Sequence, residues 1–556
     1  MKFDRPKGCS VILLSFLLFA SGQTRAQVLV QIGKNFAGST YGVNTPYIPA
    51  DGNGAIGPRH FMEFINGTVA VYNKTNGLSV QRKTNLKFWS DAGLIISPDS
   101  ALSDPRVLYD PSVQRWFATQ INVNGSASDP SLEANDFLLA ISTTSDPTSP
   151  WRAVAFQSDP DNGYFADFPT IGIDANAVYL SGDFYHGEEF PIGPGLVSLP
   201  KADLLATIPT IANRTWFGVM DYAVRGDVLQ PAICFDGSST GNVLAMIDIG
   251  SDSTPFSNIV SFAVQNAGTP SATLTAASHL DIPPYIVPFN FELGLPNFNP
   301  TQPDDTSYLS ANDARISANV YAVNGVLYAV HSTEFAGHIA IRWYRISATT
   351  RTLLEVGTIT DANLDLFYPS IAANNDGTVV IGCNGSSSTT YVSSFAFVGQ
   401  TINGVTTFGA PTLLQSGVIE YHGDDEFLAE LLEEPLSSRW GDYSATSVDP
   451  TNPTHFWTIQ MIPSDEANAD VWSTHITEII TTQPVTPPIL SITLSNNNTF
   501  VSWPISNGIF NLESKTNLGS TNGWTLIAQN LSTNNGRVSF QSALTNQTTF
   551  FRLHKP

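Results

Sequence analysis

The stretch Asp104-Pro105-Arg106-Val107-Leu108-Tyr109-Asp110 decides the fold, because variants of it recur along the chain. Each copy begins with an acidic or polar residue, often followed by Pro, and runs through apolar residues to an Asp or Asn. The other copies begin at Asp51, in a degenerate form, and at Asp167, Gln230, Asp313, Tyr368 and Asp442. The closing Asp or Asn favours a tight turn, and a second apolar strand follows most copies. Repeats of this coarse period, each followed by further strands, predict propeller blades.

Six clear copies and the degenerate one predict an all-β fold: an approximately seven-bladed β-propeller followed by a small β-sandwich. Residues 27–34 are expected to supply a strand that closes the ring, because closure removes exposed strand edges. Two insertions interrupt the pattern, at 268–312 and 421–439. The second contains the run 425–434, which predicts a short helix before Pro435.

The two ends of the chain predict further segments. Basic residues followed by the apolar run 11–20 indicate a secretory signal peptide over 1–26, since that run is too short to span a bilayer. The propeller is expected over 27–480, followed by a Pro-rich linker over 481–488. Six short strand patterns over 489–556 predict the sandwich, with Trp503 and Trp524 in its core.

Composition excludes several classes of function. A hydrophobic share of 42% with 13% charged residues is typical of a folded globular protein. The formal net charge of −23 argues against binding to nucleic acid or to anionic lipid, both of which require clustered Lys and Arg. No stretch after the signal is apolar enough for a transmembrane segment. Cys234 and Cys383 are predicted to be buried free thiols, with a disulfide between them as the alternative.

Two phrases resemble a signature of large secreted bacterial propeller proteins. They are Ser438-Arg439-Trp440-Gly441-Asp442-Tyr443-Ser444-Ala445 before Asp449-Pro450, and Asn312-Asp313-Ala314-Arg315-Ile316 before the run 324–331. The resemblance covers 51–480 and implies a propeller fold and secretion. The sequence more distantly resembles sialidase-like propellers, but their Asp boxes (Ser-x-Asp-x-Gly-x-Thr-Trp) are missing, and the nearest match is 374–378. The C-terminal segment resembles a fibronectin type III module.

The first residues of the copies are expected to converge at one mouth of the central channel, called here the acidic mouth. Candidate catalytic residues at this mouth are Asp104, Asp167, Asp313, Asp442 and Tyr443. Glycoside cleavage needs one protonated and one ionised carboxyl, and crowding would separate their pKa values. Tyr443 is the candidate for a tyrosine nucleophile of the kind that sialidases use.

Three arginines accompany these acids and could clamp the carboxylate of an acidic sugar: Arg106, Arg315 and Arg439. In the structural alternative, each Asp instead accepts hydrogen bonds from the backbone of the next blade. A third interpretation is a Ca²⁺ site, because hard oxygen ligands suit that ion, with Asp159, Asp161 and Asp167 as candidate ligands. No other cofactor is expected.

The leading functional hypothesis is a secreted, extracellular or cell-surface binding protein with a glycan or another surface component as partner. Aromatic residues of the first insertion, Tyr285, Phe289 and Phe291, are expected to stack on sugar faces. The alternatives are a glycoside hydrolase of sialidase-like or arabinanase-like type that uses the acidic mouth, and a purely structural surface module.

Overall fold

A computed structural model describes most of the chain after residue 27. The described residues are 28–187, 191–247, 255–290, 295–296, 299–303, 308–423, 437–482, 488–505, 510–518, 523–534, 536–543 and 548–554. The predicted signal peptide, the predicted helix 425–434 and Phe291 lie outside them. The chain divides into two compact units, of which one is Val28–Thr482 and the other includes Gln483–Pro556. No helix among the described residues is long and apolar enough to cross a membrane.

The first unit is a β-propeller that begins with strand β1 (Leu29–Thr40). Blade 1 contains β2 (Asn53–Ile56), β3 (His60–Ile65), β4 (Thr68–Asn73) and β5 (Ser79–Thr84), followed by helix α1 (Asn85–Asp91). Blade 2 contains β6 (Ser100–Asp110), β7 (Arg115–Asn124), a 3₁₀ turn (Pro130–Leu132), β8 (Asp136–Ser142) and β9 (Trp151–Gln157). Blade 3 contains β10 (Phe165–Ile173), β11 (Ala177–Tyr185), β12 (Gly193–Pro200), α2 (Lys201–Leu204) and β13 (Thr215–Val219), followed by α3 (Tyr222–Arg225).

Four further blades complete the ring. Blade 4 contains β14 (Asp227–Pro231), β15 (Ile233–Cys234), β16 (Gly241–Met246), β17 (Phe256–Gln265), β18 (Thr273–Leu274) and β19 (Ser278–Tyr285). The short strands β20 (Phe289–Asn290), β21 (Leu295–Pro296) and β22 (Tyr308–Leu309) follow. Blade 5 contains β23 (Tyr321–Val323), β24 (Val326–Phe335), β25 (His338–Ser347) and β26 (Leu353–Ile359). Blade 6 contains β27 (Asp365–Ala373), β28 (Thr378–Ser387), β29 (Thr390–Ile402), β30 (Val405–Phe408) and β31 (Thr412–Gln415). After β32 (Ser437–Ser438), blade 7 contains β33 (Ala445–Val448), β34 (His455–Pro463) and β35 (Trp472–Thr482).

Strand β1 is the fourth, outermost strand of blade 7. It pairs antiparallel with β35, from Leu29 opposite Thr482 to Thr40 opposite Ser473. The innermost strands contact one another in the order of the blades, and blade 7 contacts blade 1. The predictions of about seven blades and of an N-terminal closing strand are therefore confirmed.

Each junction between neighbouring blades has its own hydrophobic cluster. Leu108 and Phe117 of blade 2 pack with Ile171 of blade 3, for example, and Phe61 of blade 1 packs with Trp457 of blade 7. Consecutive residues are buried along strands such as β27 and β28, so both faces of a blade are covered by its neighbours. The core of the propeller is thus divided among its junctions.

The recurring phrase corresponds to a bulged inner strand that ends in a side-chain-capped turn. Pairing of the first two strands shifts at Asp104-Pro105, Phe168-Pro169 and Tyr368-Pro369. The first residue of each pair has a positive φ (57°, 49° and 47°), which is rare for bulky side chains. At the other end, the closing Asp or Asn accepts hydrogen bonds from the next backbone N–H groups, as Asp110 does from Ser112. The predicted turns are therefore confirmed.

One copy of the phrase does not form the predicted strand. Residues 311–320 have no regular secondary structure, and β23 begins only at Tyr321. Asp313 instead accepts hydrogen bonds from the backbone and guanidinium of Arg315. This local pairing competes with a strand ladder. Strand β15 connects blades 3 and 5 here, because it pairs in parallel with both β10 and β23.

The second unit is the predicted small β-sandwich. Its strands are β36 (Ser491–Ser495), β37 (Asn498–Pro504), β38 (Asn511–Lys515), β39 (Thr525–Leu526), β40 (Leu531–Asn534), β41 (Arg537–Ala543) and β42 (Phe550–His554). One sheet has the order β36-β37-β41-β40 and the other β39-β38-β42. Trp503 is buried in the core with Val501 and Leu512. Trp524 is half-buried, and the guanidinium of Arg552 lies 4.4 Å from its ring centre, so its predicted place in the core is wrong.

Candidate functional site

Three carboxylates meet at the acidic mouth, where the inner strands of blades 7, 1 and 2 begin. Asp442, Asp51 and Asp104 each place a carboxylate oxygen within 4.8 Å of the other two. The three residues are 8%, 2% and 5% exposed. The copies of the phrase therefore bring these three acids together, but inside the protein rather than in an open pocket.

Hydrogen bonds between blades hold this cluster. Asp51 accepts from the backbone N–H of Asp442 through Oδ1 (3.0 Å) and from the side chain of Asn66 through Oδ2 (2.7 Å). Asp104 accepts from the backbone N–H of Phe168 in blade 3 through Oδ2 (3.2 Å). Asp51 and Asp104 thus each satisfy a backbone donor of a neighbouring blade, as the structural alternative predicts, whereas Asp442 accepts from the side chains of Asn312 and Arg439.

The pKa values of Asp51 and Asp104 in this cluster are raised. Burial, together with the nearby carboxylate of Asp442, raises the pKa of Asp51 to about 7. The pKa of Asp104 lies well above its usual range. Burial is the main cause, and the negative charges of Asp167 and Asp51 add to it. The Asp51 and Asp104 side chains also share a hydrogen bond. Asp104 therefore binds its proton more tightly than an ordinary aspartic acid does.

Arg106 crosses the central channel next to this cluster. Its Nε donates to the carbonyl of Pro169 (3.1 Å) and its Nη1 to the carbonyl of Ser317 (2.9 Å). Its guanidinium carbon lies 3.4 Å from the ring centre of Tyr443. The side chain therefore links blade 2 to blades 3, 5 and 7, and burial lowers its pKa.

Tyr443 is too buried to act as an accessible nucleophile. The residue is 4% exposed, and its hydroxyl donates to the carbonyl of Pro105 (3.1 Å). Burial raises the pKa of this hydroxyl well above its usual range, which disfavours the reactive phenolate. Its ring packs edge-on against Phe168. These contacts give Tyr443 a structural place at the axis.

The remaining predicted acids and arginines form local pairs. Asp313 pairs with Arg315, and Asp442 accepts from Nη2 of Arg439 at 2.8 and 2.9 Å. Arg106, Arg315 and Arg439 are therefore engaged with protein groups and do not form the predicted open clamp.

Asp167 is half-buried and lies opposite Asp183 in the adjoining strand. Asp183 accepts from the backbone N–H of Val228 in blade 4 (3.2 Å) and shares a hydrogen bond with Asp227. Burial raises the pKa of Asp183 to about 6. The sequence pattern did not predict this second acidic group, because Asp183 lies on the second strand of its blade, outside the recurring phrase.

The aspartates of the predicted calcium loop accept hydrogen bonds from N–H groups of the protein. Asp159 accepts from the backbone N–H groups of Asp161 and Tyr164, and Asp161 accepts from the indole N–H of Trp216. Their oxygens are thus used within the protein. The one group of acids with metal-like spacing among the described residues is Asp51, Asp104 and Asp442. Its oxygens accept from N–H donors of the protein, and the positive guanidinium of Arg439 on Asp442 does not suit a Ca²⁺ ligand.

One of the three aromatic residues expected to stack on sugars, Tyr285, is buried. Tyr285 is 1% exposed and packs on His331 and Phe256 in the core between blades 4 and 5. It is therefore unavailable for stacking, and this prediction is wrong. Phe289 lies in the short strand β20, and Phe291 is outside the described residues.

An open cavity lies on the axis at the opposite end of the channel. It has a volume of about 370 Å³. Blades 1, 2, 4, 5, 6 and 7 contribute to its wall through the C-terminal ends of their inner strands or the turns that follow. The main lining residues are Tyr109, Phe235, Asp236, Tyr321, Asn374, Asn375, Ser447, Asp449 and Pro450. We call this feature the axial cavity.

The wall of the axial cavity is largely apolar with a few polar groups. Phe235 and Tyr321 are half-buried, and Asp236 and Asn375 are exposed at the rim. This combination is typical of small-ligand sites. The sequence did contain a signal for it, since an aromatic residue directly precedes the closing Asp in Tyr109-Asp110 and Phe235-Asp236.

No known protein family matches the sequence, and no curated protein is significantly similar to it. Solved structures with similar folds include the Dos1 propeller, at 7% identity and a TM-score of 0.37 over 81% of this chain and 95% of that one. A protein of unknown function from Dyadobacter fermentans has 8% identity and a TM-score of 0.35 over 70% and 97%. An exo-β-1,3-galactanase from Clostridium thermocellum has 11% identity and a TM-score of 0.29 over 80% and 99%. At these values the similarities carry no argument about function.

Proposed function

We propose that this protein is a secreted binding protein that holds a carbohydrate in the axial cavity. The observation that carries the proposal is the open cavity on the propeller axis, walled by Tyr109, Phe235 and Tyr321. Aromatic faces pack on the apolar face of a sugar ring, and the rim groups of Asp236 and Asn375 can bind its hydroxyls.

The composition of the cavity favours binding over cleavage. Glycoside hydrolysis needs two carboxyl groups that flank the bond. The cavity wall contains Asp236 and Asp449, but Asp449 is 1% exposed and pairs with Lys74 at 2.5 Å. Its Oδ1 also accepts from the backbone of Thr451 (2.8 Å). One carboxylate is then left to act on a ligand.

Hydrolysis at the acidic mouth is the second candidate function. It is favoured by Asp104, whose pKa burial raises, and by the positions of Asp51 and Asp442. The carboxylate oxygens of the three lie within 4.8 Å of one another, close to the separation of about 5 Å that retaining enzymes use. Burial of all three acids counts against it, because a substrate must reach them.

A glycan array followed by calorimetry on purified protein tests the binding proposal. Phe235→Ala and Tyr321→Ala should each weaken binding at least tenfold, or about 1.4 kcal/mol. Tyr222→Ala removes an exposed tyrosine of α3, outside the cavity wall, and is the matched control that should bind normally. Thermal unfolding of each variant checks that it is folded.

The same mixtures should release no reducing ends. Release that Asp104→Asn abolishes would support the hydrolase instead. Absence of glycan binding, or binding that tolerates both cavity variants, would contradict the proposal.

A further inference from the structure

The wall of the axial cavity is acidic and lacks basic groups. Its polar side chains are two carboxylates, two amides, one serine and tyrosine hydroxyls, with no Lys, Arg or His. The chain as a whole has a net charge of −23, which lowers the local concentration of anions near such a site. The carboxylates would therefore repel an anionic sugar, and no Lys, Arg or His of the wall could offset that repulsion.

The two carboxylates of the wall differ in whether a positive charge lies beside them. Asp449 is buried and paired with Lys74. Asp236 is exposed at the rim, and no ion pair to it is found among the described residues. Its Oδ1 accepts from the backbone N–H of Ser238 (2.9 Å) and from the thiol of Cys234 (3.0 Å). These bonds orient the carboxylate without neutralising its charge.

Asp236 also lies beside aromatic groups. It directly follows Phe235, and both line the cavity together with Tyr109 and Tyr321. A carboxylate next to aromatic faces suits an organic ammonium group, which is attracted both by the charge and by the negative faces of the rings.

We propose that the axial cavity selects sugars that carry an ammonium group over neutral and anionic sugars. This inference rests on the proposed function and names its ligand class: amino sugars with a free amine, bound with the ring against the aromatic wall and the ammonium at Asp236.

Calorimetry with three oligosaccharides of equal length tests this selectivity. The probes are tetramers of glucosamine, N-acetylglucosamine and galacturonic acid, at pH 6 and fixed ionic strength. The glucosamine tetramer should bind about tenfold more tightly than the N-acetylated one, and the galacturonic tetramer should show no binding. Asp236→Asn should abolish this difference, because it keeps an oxygen for the Ser238 N–H but removes the charge.

Asp99→Asn is the control, since it removes one exposed carboxylate that does not line the cavity. It should leave the preference intact. Equal effects of the two variants would mean that overall charge sets the preference, and would overturn the inference. Equal binding of all three tetramers would also overturn it while the carbohydrate-binding proposal stands. If no oligosaccharide of the array or of this series binds, both proposals fail.

Discussion

Two aspartates at the acidic mouth, Asp51 and Asp104, bind protons more tightly than ordinary aspartates do. Asp104 and Asp51 share a hydrogen bond, and both have raised pKa values because they are buried near other acids. In the unfolded chain an Asp releases its proton near pH 4. The folded protein therefore keeps protons that the unfolded chain loses between about pH 4 and pH 7. Stability from this pair is complete below that window and is lost as the pH rises through it.

Asp104→Asn should reduce this pH dependence. The amide can donate to Asp51 as the protonated acid does and still accept from the Phe168 N–H, so the network survives without a titrating group. We expect the melting temperature to fall less between pH 5 and pH 8 than in the parent protein, and to be higher at pH 8 by ~2 °C or more. Calorimetric melting at both pH values measures this effect, with Asp99→Asn as an exposed control. An unchanged pH dependence in Asp104→Asn would refute this account of the cluster.

The sequence predicted part of the acidic mouth from residue positions alone. Since inner strands run parallel around a ring, the first residues of the copies had to meet, and Asp51, Asp104 and Asp442 do. The structural alternative also predicted that such acids accept from backbone N–H groups of the next blade, as Asp51 and Asp104 do. The burial of all three acids could not be predicted, because it depends on bulges that a linear pattern does not reveal. The catalytic roles suggested for these acids stay predictions.

At the scale of elements, a buried glutamate connects the closing strand to the two blades beside it. Glu63 in β3 is fully buried and accepts from both the backbone N–H and the hydroxyl of Ser39 in β1. It also accepts from the hydroxyls of Tyr72 in β4 and Thr474 in β35. One carboxylate thus satisfies four donors across the closure.

Glu63→Ala should destabilise the propeller by about 3–5 kcal/mol, because several buried donors lose their acceptor at once. Denaturant unfolding measures the change, and limited proteolysis should show earlier cleavage near β1. Glu133→Ala, at an exposed position, is the control and should stay within about 0.5 kcal/mol of the parent protein. A similarly small effect at Glu63 would show that closure does not depend on this contact.

Strands such as β24 and β28 were predictable, because each is an apolar run that directly follows an Asn-Gly or Asp-Gly turn. The inner strand of blade 5 was not, because Asp313 and Arg315 look like the start of another copy but pair with each other. Tyr285 was misplaced for a related reason. Its Pro-rich surroundings are typical of an exposed loop, yet β19 pairs with β17 and buries that ring.

At the scale of the whole molecule, the ring is stabilised at each junction separately, and one pairing of distant segments closes it. Leu29 and Thr482 are partners in that pairing. Without β1, blade 7 would expose the polar backbone edge of β35, which promotes aggregation.

A chain that starts at residue 41 should therefore unfold at a temperature at least ~10 °C lower than a chain that starts at residue 28, and it should aggregate on heating. The chain starting at residue 28 is the matched control, since it keeps all of β1. Calorimetry with light scattering detects both effects. Equal melting of the two chains would show that three strands are sufficient for blade 7.

The pairing of β1 with β35 also has a consequence for the order of events during synthesis. The ribosome makes β1 first, yet its partner follows after more than four hundred residues, as the 435-residue separation of Ser39 and Thr474 illustrates. Blades 1 to 6 can form while the chain grows, but the earliest strand has to wait for the latest one. A nascent chain of this protein therefore carries an unsatisfied β-segment throughout translation, which makes it a natural client for chaperones that shield such segments.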